Sequence, residues 1–270
     1  MADIKFSHNL IDSLNLQKNK FLNIIGGGGK TSLMYALTSG LQDKSKIVFG
    51  TSTKILTPFV SNNSPLIILK NECHYGIQGF VDKINQGFES SNSICIGSSL
   101  INENAKLCGL SPDILDEVFK NCNQDYLFIE ADGSKGRSLK AHYDHEPVIS
   151  STVQGVVIII GIDILGKSLD DENIFRAKHF SEIIGVDLGT EITADAICSI
   201  IFHQDGYMKK IPDKSEVFIL FSKVYNHDDL EAAKRVASHI YSRDKYDRIK
   251  KIIAWNKKSI LNCFYLALQR

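Results

Sequence analysis

The chain has no excess of charge of either sign. Its 270 residues carry 31 Lys plus Arg against 31 Asp plus Glu, a formal net charge of +0. That balance argues against nucleic acid or a membrane surface as the main partner. Paired cysteines are also lacking: Cys73, Cys95, Cys108, Cys122, Cys198 and Cys263 are scattered, with no C-x-x-C pair. Such scatter points to free thiols in a reducing cytoplasm. Apolar runs stay short; the longest, Val156–Ile160 with its neighbours, falls far below membrane-spanning length. Met1 to Lys20 is polar and mixed, without the apolar core or cleavage site of a secretory signal, so the expected location is cytoplasmic. Repeats, low-complexity segments and obvious linkers are missing too.

What is there is an apolar fraction of 43%, enough for a large core. Short apolar runs predict strands at Phe21–Ile25, Lys46–Thr51, Leu66–Leu69, Ser93–Ile96, Tyr126–Ala131, Val156–Ile160, Val217–Phe221 and Lys251–Ala254. Several are nearly continuous Val, Ile, Leu and Phe, as strands covered on both faces are. Helical patterns are expected over Lys30–Ser39, Pro112–Asn121, Asp195–His203, Asp228–Tyr241 and Ser259–Leu268. The alternation predicts an α/β fold with a mostly parallel sheet and helices on both faces. One domain spanning 1–270 is expected, with 226–270 a C-terminal extension of the same sheet. The loop from Gly133 to Ser150 is the longest stretch without a clear period.

Chemistry concentrates after the first strand. Phe21-Leu22-Asn23-Ile24-Ile25 runs into Gly26, Gly27, Gly28 and Gly29, then Lys30, Thr31, Ser32 and a helical segment. Strand, glycine turn, Lys-Thr and helix form the context of a phosphate loop. Glycines let backbone N–H groups turn inward on phosphate oxygens, and the helix N-terminus adds further donors. Lys30 would reach the β and γ phosphates, and the Thr31 hydroxyl would bind Mg²⁺. The standard pattern G-x-x-x-x-G-K-[ST] requires glycine at position 24, where this chain has Ile24. Its own G-x-x-G-K-T is two residues shorter and resembles the loop of the Mur-type peptide ligases, which also bind ATP. The plainer alternative is a glycine-rich turn with an incidental Lys-Thr.

A second strand, Tyr126–Ala131, ends in Glu130, Asp132 and Gly133. Ligands of open parallel sheets collect beyond such strand ends. Alternation places both carboxylates on one side, where one could bind metal and the other orient a water or substrate; the Gly133 N–H could meet a γ-phosphate. Two solvated acids at a strand end are the plainer alternative. Thr53 and Lys54, after Gly50-Thr51-Ser52, suit a triphosphate or an anionic substrate. So do Lys135, Arg137 and Lys140 in the loop after the acidic strand; an ordinary strand end and a solvated charge run compete with these readings. Arg176 is a further candidate for the phosphates against a helix-surface salt bridge. His142, His145 and Glu146 match no strong metal template and are expected in a surface loop with an Asp144–His145 contact. After Val217–Phe221 stands Ser222-Lys223-Val224-Tyr225, where a guanine-reading [NT]-K-x-D would carry aspartate in place of Tyr225. Base preference between ATP and GTP stays open.

These residues together resemble one family, the bacterial selenium-dependent hydroxylase accessory proteins. The resembling segments are Ile25 to Ser32, Thr51 to Ile55, Lys106 to Leu110, Glu130 to Gly136, Leu139 to Ala141, His145 to Pro147, and Gly161 to Lys167 with Arg176. The match runs in order from about residue 20 to about residue 225, and Glu-Ala-Asp-Gly-Ser-Lys-Gly is its most specific element. The resemblance implies a P-loop NTPase-like fold and a role in maturing a molybdenum hydroxylase or its cofactor. The expected ligand is Mg²⁺ with ATP or GTP, on Gly26–Gly29, Lys30, Thr31, Ser32 and Gly133. In the leading reading Lys30 stabilises the transferring phosphate, Thr31 and Asp132 hold Mg²⁺, and Glu130 positions the attacking water. A small-molecule kinase or ligase using ATP, and a non-catalytic nucleotide-sensing scaffold, are the alternatives.

Overall fold

A computed structural model describes residues 2–7, 9–56, 64–70, 76–101, 106–256 and 263–268. Among the described residues, fifteen strands occur in chain order. They are β1 (Ala2–Ser7), β2 (Phe21–Gly26), β3 (Ile47–Thr51), β4 (Lys54–Leu56), β5 (Leu66–Ile68), β6 (Ser93–Gly97), β7 (Ser99–Ile101) and β8 (Lys106–Cys108). There follow β9 (Tyr126–Glu130), β10 (Leu139–Lys140), β11 (Gly155–Gly161), β12 (Ile174–Phe175), β13 (Glu216–Ser222), β14 (Ile249–Trp255) and β15 (Cys263–Leu268). The helices are α1 (Leu10–Ser13), α2 (Lys30–Leu41), α3 (Gly76–Gly87), α4 (Pro112–Asn121), α5 (Ala177–Ile184), α6 (Ala194–Phe202) and α7 (His227–Arg243).

The main sheet is 10-stranded, in the order β1-β15-β14-β13-β11-β2-β9-β3-β6-β5. Every pairing from β14 to β5 is parallel; β15 pairs antiparallel with β14 and β1. Period-2 alternation with both faces covered explains the continuous apolar strands. Phe21 and Ile25 of β2 join the core on one face, and Leu22 and Ile24 join the core on the other. The first core is closed by α3, α4, α5, α6 and α7, the second by α1 and α2. This is an α/β fold with a mostly parallel sheet and helices on both faces, consistent with a P-loop NTPase-like fold.

Local signals set the helix ends. Pro112 stands in the first turn of α4, where its missing N–H costs nothing. Asn226 and Asp229 form a reciprocal capping box at the start of α7. The helix expected over Ser259–Leu268 is not formed: 263–268 is the strand β15, and the earlier part lies outside the described residues. Pairing on both edges overrides local helical pattern there. No helix of the described residues is long and apolar enough to cross a membrane.

The sheet order also places the site. From β2 the chain crosses through α2 to β3, while β9 fills the position between β2 and β3, and β11 lies on the other side of β2. Segments leaving the carboxyl ends of β2, β9 and β11 therefore meet at one edge of the sheet, where connections depart in opposite directions.

Candidate functional site

The turn after β2 is fixed by its first two amides and open at the rest. Gly26 N–H donates to Asp132 Oδ2 at 2.8 Å, and Gly27 N–H donates to the Ile159 carbonyl at 2.9 Å. These bonds tie the turn to the ends of β9 and β11. Gly28 has φ +93°, and a Cβ there would lie 2.6 Å from the Gly161 nitrogen, so both conformation and space require glycine. The N–H groups of Gly28, Gly29, Lys30 and Thr31 make no hydrogen bond among the described residues. Gly29 caps α2 without a side chain, and first-turn amides have no intrahelical partner. Unpaired N–H groups with the positive end of the helix dipole make a site for an anion.

Lys30 lies folded back within this turn. Its Nζ donates to the Gly26 carbonyl at 2.6 Å and to Ser134 Oγ at 3.1 Å. It also stands 3.1 Å from Asp132 Oδ1 and 3.7 Å from Glu130 Oε1. Burial works against its charge, but the Asp132 and Glu130 carboxylates outweigh burial and raise its pKa. Thr31 Oγ1 donates to Glu130 Oε2 at 2.8 Å. Burial raises the Glu130 pKa against the opposing pull of Lys30 and the Thr31 bond. Asp132 behaves oppositely: burial would raise its pKa, yet Lys30, Lys140 and His142 together hold it below the usual carboxylate range. Glu130 and Asp132 thus share Lys30 unequally. Asp132 Oδ2 gathers Gly26 N–H, His142 Nε2 and, at 3.4 Å, Lys140 Nζ. Its Oδ1 is buried with no hydrogen bond, so the Lys30 contact is an ion pair out of bonding line.

The loop after β9 carries Lys140, a candidate for an anionic ligand by sequence, and His142 and Glu146, which match no metal template. Expected as a surface loop, it sends His142, Lys140 and Glu146 inward; all are buried. Lys140 Nζ lies 2.9 Å from Glu146 Oε2, which also accepts from Arg176. The Lys140 backbone bonds Tyr207 Oη in both directions, at 3.2 and 3.1 Å. Burial lowers the His142 pKa despite the Asp132 contact. His145 stays exposed, and Asp144 approaches Lys209 at 3.9 Å in place of the expected His145 contact. No group of three or more His, Cys, Asp or Glu among the described residues could hold a metal ion unaided.

The remaining candidates divide. Arg176, with φ 67°, caps α5, pairs with Glu146 and lies over the Tyr143 ring at 4.1 Å. Lys135 is over the Phe175 ring at 5.3 Å, and Arg137 Nε donates to the Asp171 carbonyl at 2.9 Å. Thr53 is half-buried, its N–H bonded to Thr51 Oγ1, while Lys54 and Ser32 are exposed. Gly133 is half-buried, and its carbonyl accepts from Lys140 Nζ.

On the β11 side, Ser222 Oγ donates to the Gly28 carbonyl at 2.6 Å, which fastens β13 to the turn. Lys223 Nζ reaches Ser138 Oγ at 2.6 Å and Asp163 Oδ2 at 2.9 Å. Asp163 lies in the segment Gly161 to Lys167 that carries the family resemblance, but no local pattern marks its meeting with Lys223 from the end of another strand.

Comparison with known proteins identifies the family. The family described as YqeC protein matches residues 22–178, a span holding the glycine turn, both carboxylates, the buried loop and Arg176. "Uncharacterized protein YqeC" of Escherichia coli (strain K12) is 27% identical over 205 residues, covering 75% of this chain and 76% of that protein. The family match spans more than half of the sequence, and the chain belongs to the YqeC protein family.

Proposed function

We propose that this chain binds a nucleoside triphosphate with Mg²⁺ on the turn 26–31 and hydrolyses it in the maturation of a selenium-dependent molybdenum hydroxylase. One observation carries the binding step. The open amides of Gly28, Gly29, Lys30 and Thr31 lie at a helix N-terminus beside a buried lysine, at the point where the sheet connections diverge. Phosphate oxygens would take these amides, and Lys30 would exchange part of its contact with Asp132 for the incoming charge.

The side chains fit the metal with one change from the sequence expectation. Thr31 Oγ1 meets Glu130, not Asp132, which supports Thr31 and Glu130 as the pair that would hold Mg²⁺. Asp132 is occupied with Gly26, His142, Lys140 and Lys30, and it acts as the anchor of the turn. Mg²⁺ keeps waters and shares substrate phosphates with one or two protein oxygens, so this pair would suffice beside a bound triphosphate. When bound, it would neutralise charge between the β and γ phosphates. The setting in hydroxylase maturation rests on the family resemblance of Glu130 to Gly136 and the segments around it.

Phosphate release from Mg-ATP and Mg-GTP by wild type and Lys30→Ala tests the reading. Release by wild type that falls at least ten-fold in the variant supports it. Equal release by both proteins would falsify the hydrolytic assignment, and a product other than inorganic phosphate would redirect it to group transfer. For the cellular role, hydroxylase activity should be lost in cells lacking this chain and restored by wild type but not by Lys30→Ala.

A further inference from the structure

The two sides of the glycine turn offer different chemistry, and only one suits terminal phosphates. Lys30, Thr31 and Glu130 stand on the β9 side. With the terminal phosphates on that side, the far end of a polyphosphate, with its sugar, would extend over Gly28, which adjoins Gly161 after β11 and Ser222 of β13. Asp163 follows Gly161 on that side. A Cβ on Gly28 would lie 2.6 Å from the Gly161 nitrogen, and a Cβ on Gly161 would lie 2.6 Å from Asp163 Oδ1 and 2.5 Å from Ser138 Oγ. Backbone and carboxylate are therefore in close succession from the turn outward.

We infer that Asp163, held by Ser138 and Lys223 at the lip of the turn, accepts the ribose hydroxyls of the nucleotide and so selects ribonucleotides over deoxyribonucleotides. The inference rests on the nucleotide reading above. Ser138 Oγ donates to Asp163 Oδ1 at 2.7 Å, and Lys223 Nζ donates to Oδ2 at 2.9 Å. Lys167 Nζ also stands 3.6 Å from Oδ2, as an ion pair beyond hydrogen-bond distance, and each carboxylate oxygen accepts from more than one direction, which leaves room for a further donor on each. The Asp163 side chain is 34% exposed, so that capacity is open to a ligand. A vicinal diol presents two O–H donors to such a group, and a strand-end carboxylate reads ribose in the same manner in dinucleotide folds. Burial would raise the Asp163 pKa, but the Ser138 bond and the Lys223 charge lower it, so it stays an acceptor at neutral pH.

The ledge itself is constrained. Lys223 adopts φ 63°, a left-handed conformation uncommon outside glycine, and such residues cluster at ligand clamps. Ser222, its neighbour, is fully buried and bonded to the Gly28 carbonyl.

Calorimetric titration of wild type with Mg-ATP, Mg-2′-dATP and Mg-3′-dATP, and with the guanine counterparts, tests the inference without any variant. Ribonucleotides should bind roughly ten- to a hundred-fold tighter than deoxynucleotides, the range for a hydrogen bond to a charged group. In Asp163→Asn, ribonucleotide affinity should fall to the deoxynucleotide level while deoxynucleotide affinity holds. Equal wild-type affinity for the ribo and deoxy forms overturns the ribose assignment and leaves triphosphate binding intact. Failure of every triphosphate to bind overturns both.

Discussion

The two flanks of the glycine turn use the same kinds of side chain in opposite settings. On the β9 flank, Asp132 and Lys140 are sealed completely, at 0% exposure, and Lys30 nearly so. On the β11 flank, Asp163 and Lys223 pair at 2.9 Å yet remain 34% and 25% exposed. Burial decides what each pair can do. A sealed charge must keep its partners because water cannot replace them. A rim charge exchanges partners at little cost, which suits it to reading a ligand.

The sharpest way to break this contrast is to remove one acid from each flank. Asp132→Ala leaves Lys30 and Lys140 without their shared anion, and a loss of about 3–5 kcal/mol in urea denaturation is expected. Asp163→Ala should cost less than about 1 kcal/mol in the same measurement. Comparable losses would mean that the flanks do not differ as described. Next in size is Gly28→Ala, which combines a positive φ with backbone contact at 2.6 Å. A cost of about 1–3 kcal/mol is expected, with loss of any Mg-nucleotide shift in melting temperature. An alanine protein that still responds to nucleotide would show that the turn tolerates rearrangement.

The pH dependence is the smallest effect and sharpens the sealed flank. The His142 pKa is lowered in the fold, chiefly by burial, so the unfolded chain takes up a proton first as pH falls. Its contribution to stability is full above the unfolded value of about 6.5 and is lost as pH falls toward the folded pKa. Asp132 acts in the same direction lower down, above about 3.9, because its folded pKa is depressed. His142→Gln, which keeps a donor for Asp132, should flatten denaturation midpoints between pH 7 and pH 5, relative to wild type. An unchanged slope would remove His142 as the cause.

Strands with two covered faces were legible because each is a continuous apolar run; β2, β9, β11 and β13 lie where such runs stand in the sequence. The glycine turn and the Glu130–Asp132 pair were legible for a related reason, since each is a short contiguous motif at a strand end. Helix α3 was missed although Phe80, Val81 and Ile84 carry its helical spacing. The short strands β4, β7 and β8 hold too few residues to show a period. His142, Lys140 and Glu146 were not legible as a buried cluster. Their burial depends on Asp132 at the start of the same loop and on Tyr207 and Arg176, which arrive from distant segments. Asp163 and Lys223 met for the same reason, through parallel pairing of β11 with β13.

The most direct measurement follows the backbone amides themselves. In ¹⁵N-resolved spectra of the intact chain titrated with Mg-ATP or Mg-GTP, the amides of Gly28, Gly29, Lys30 and Thr31 should show the largest shifts. Those of Gly26 and Gly27, already bonded to Asp132 and Ile159, should move less. Saturating nucleotide that leaves residues 28–31 unperturbed would contradict a polyphosphate seat at this turn.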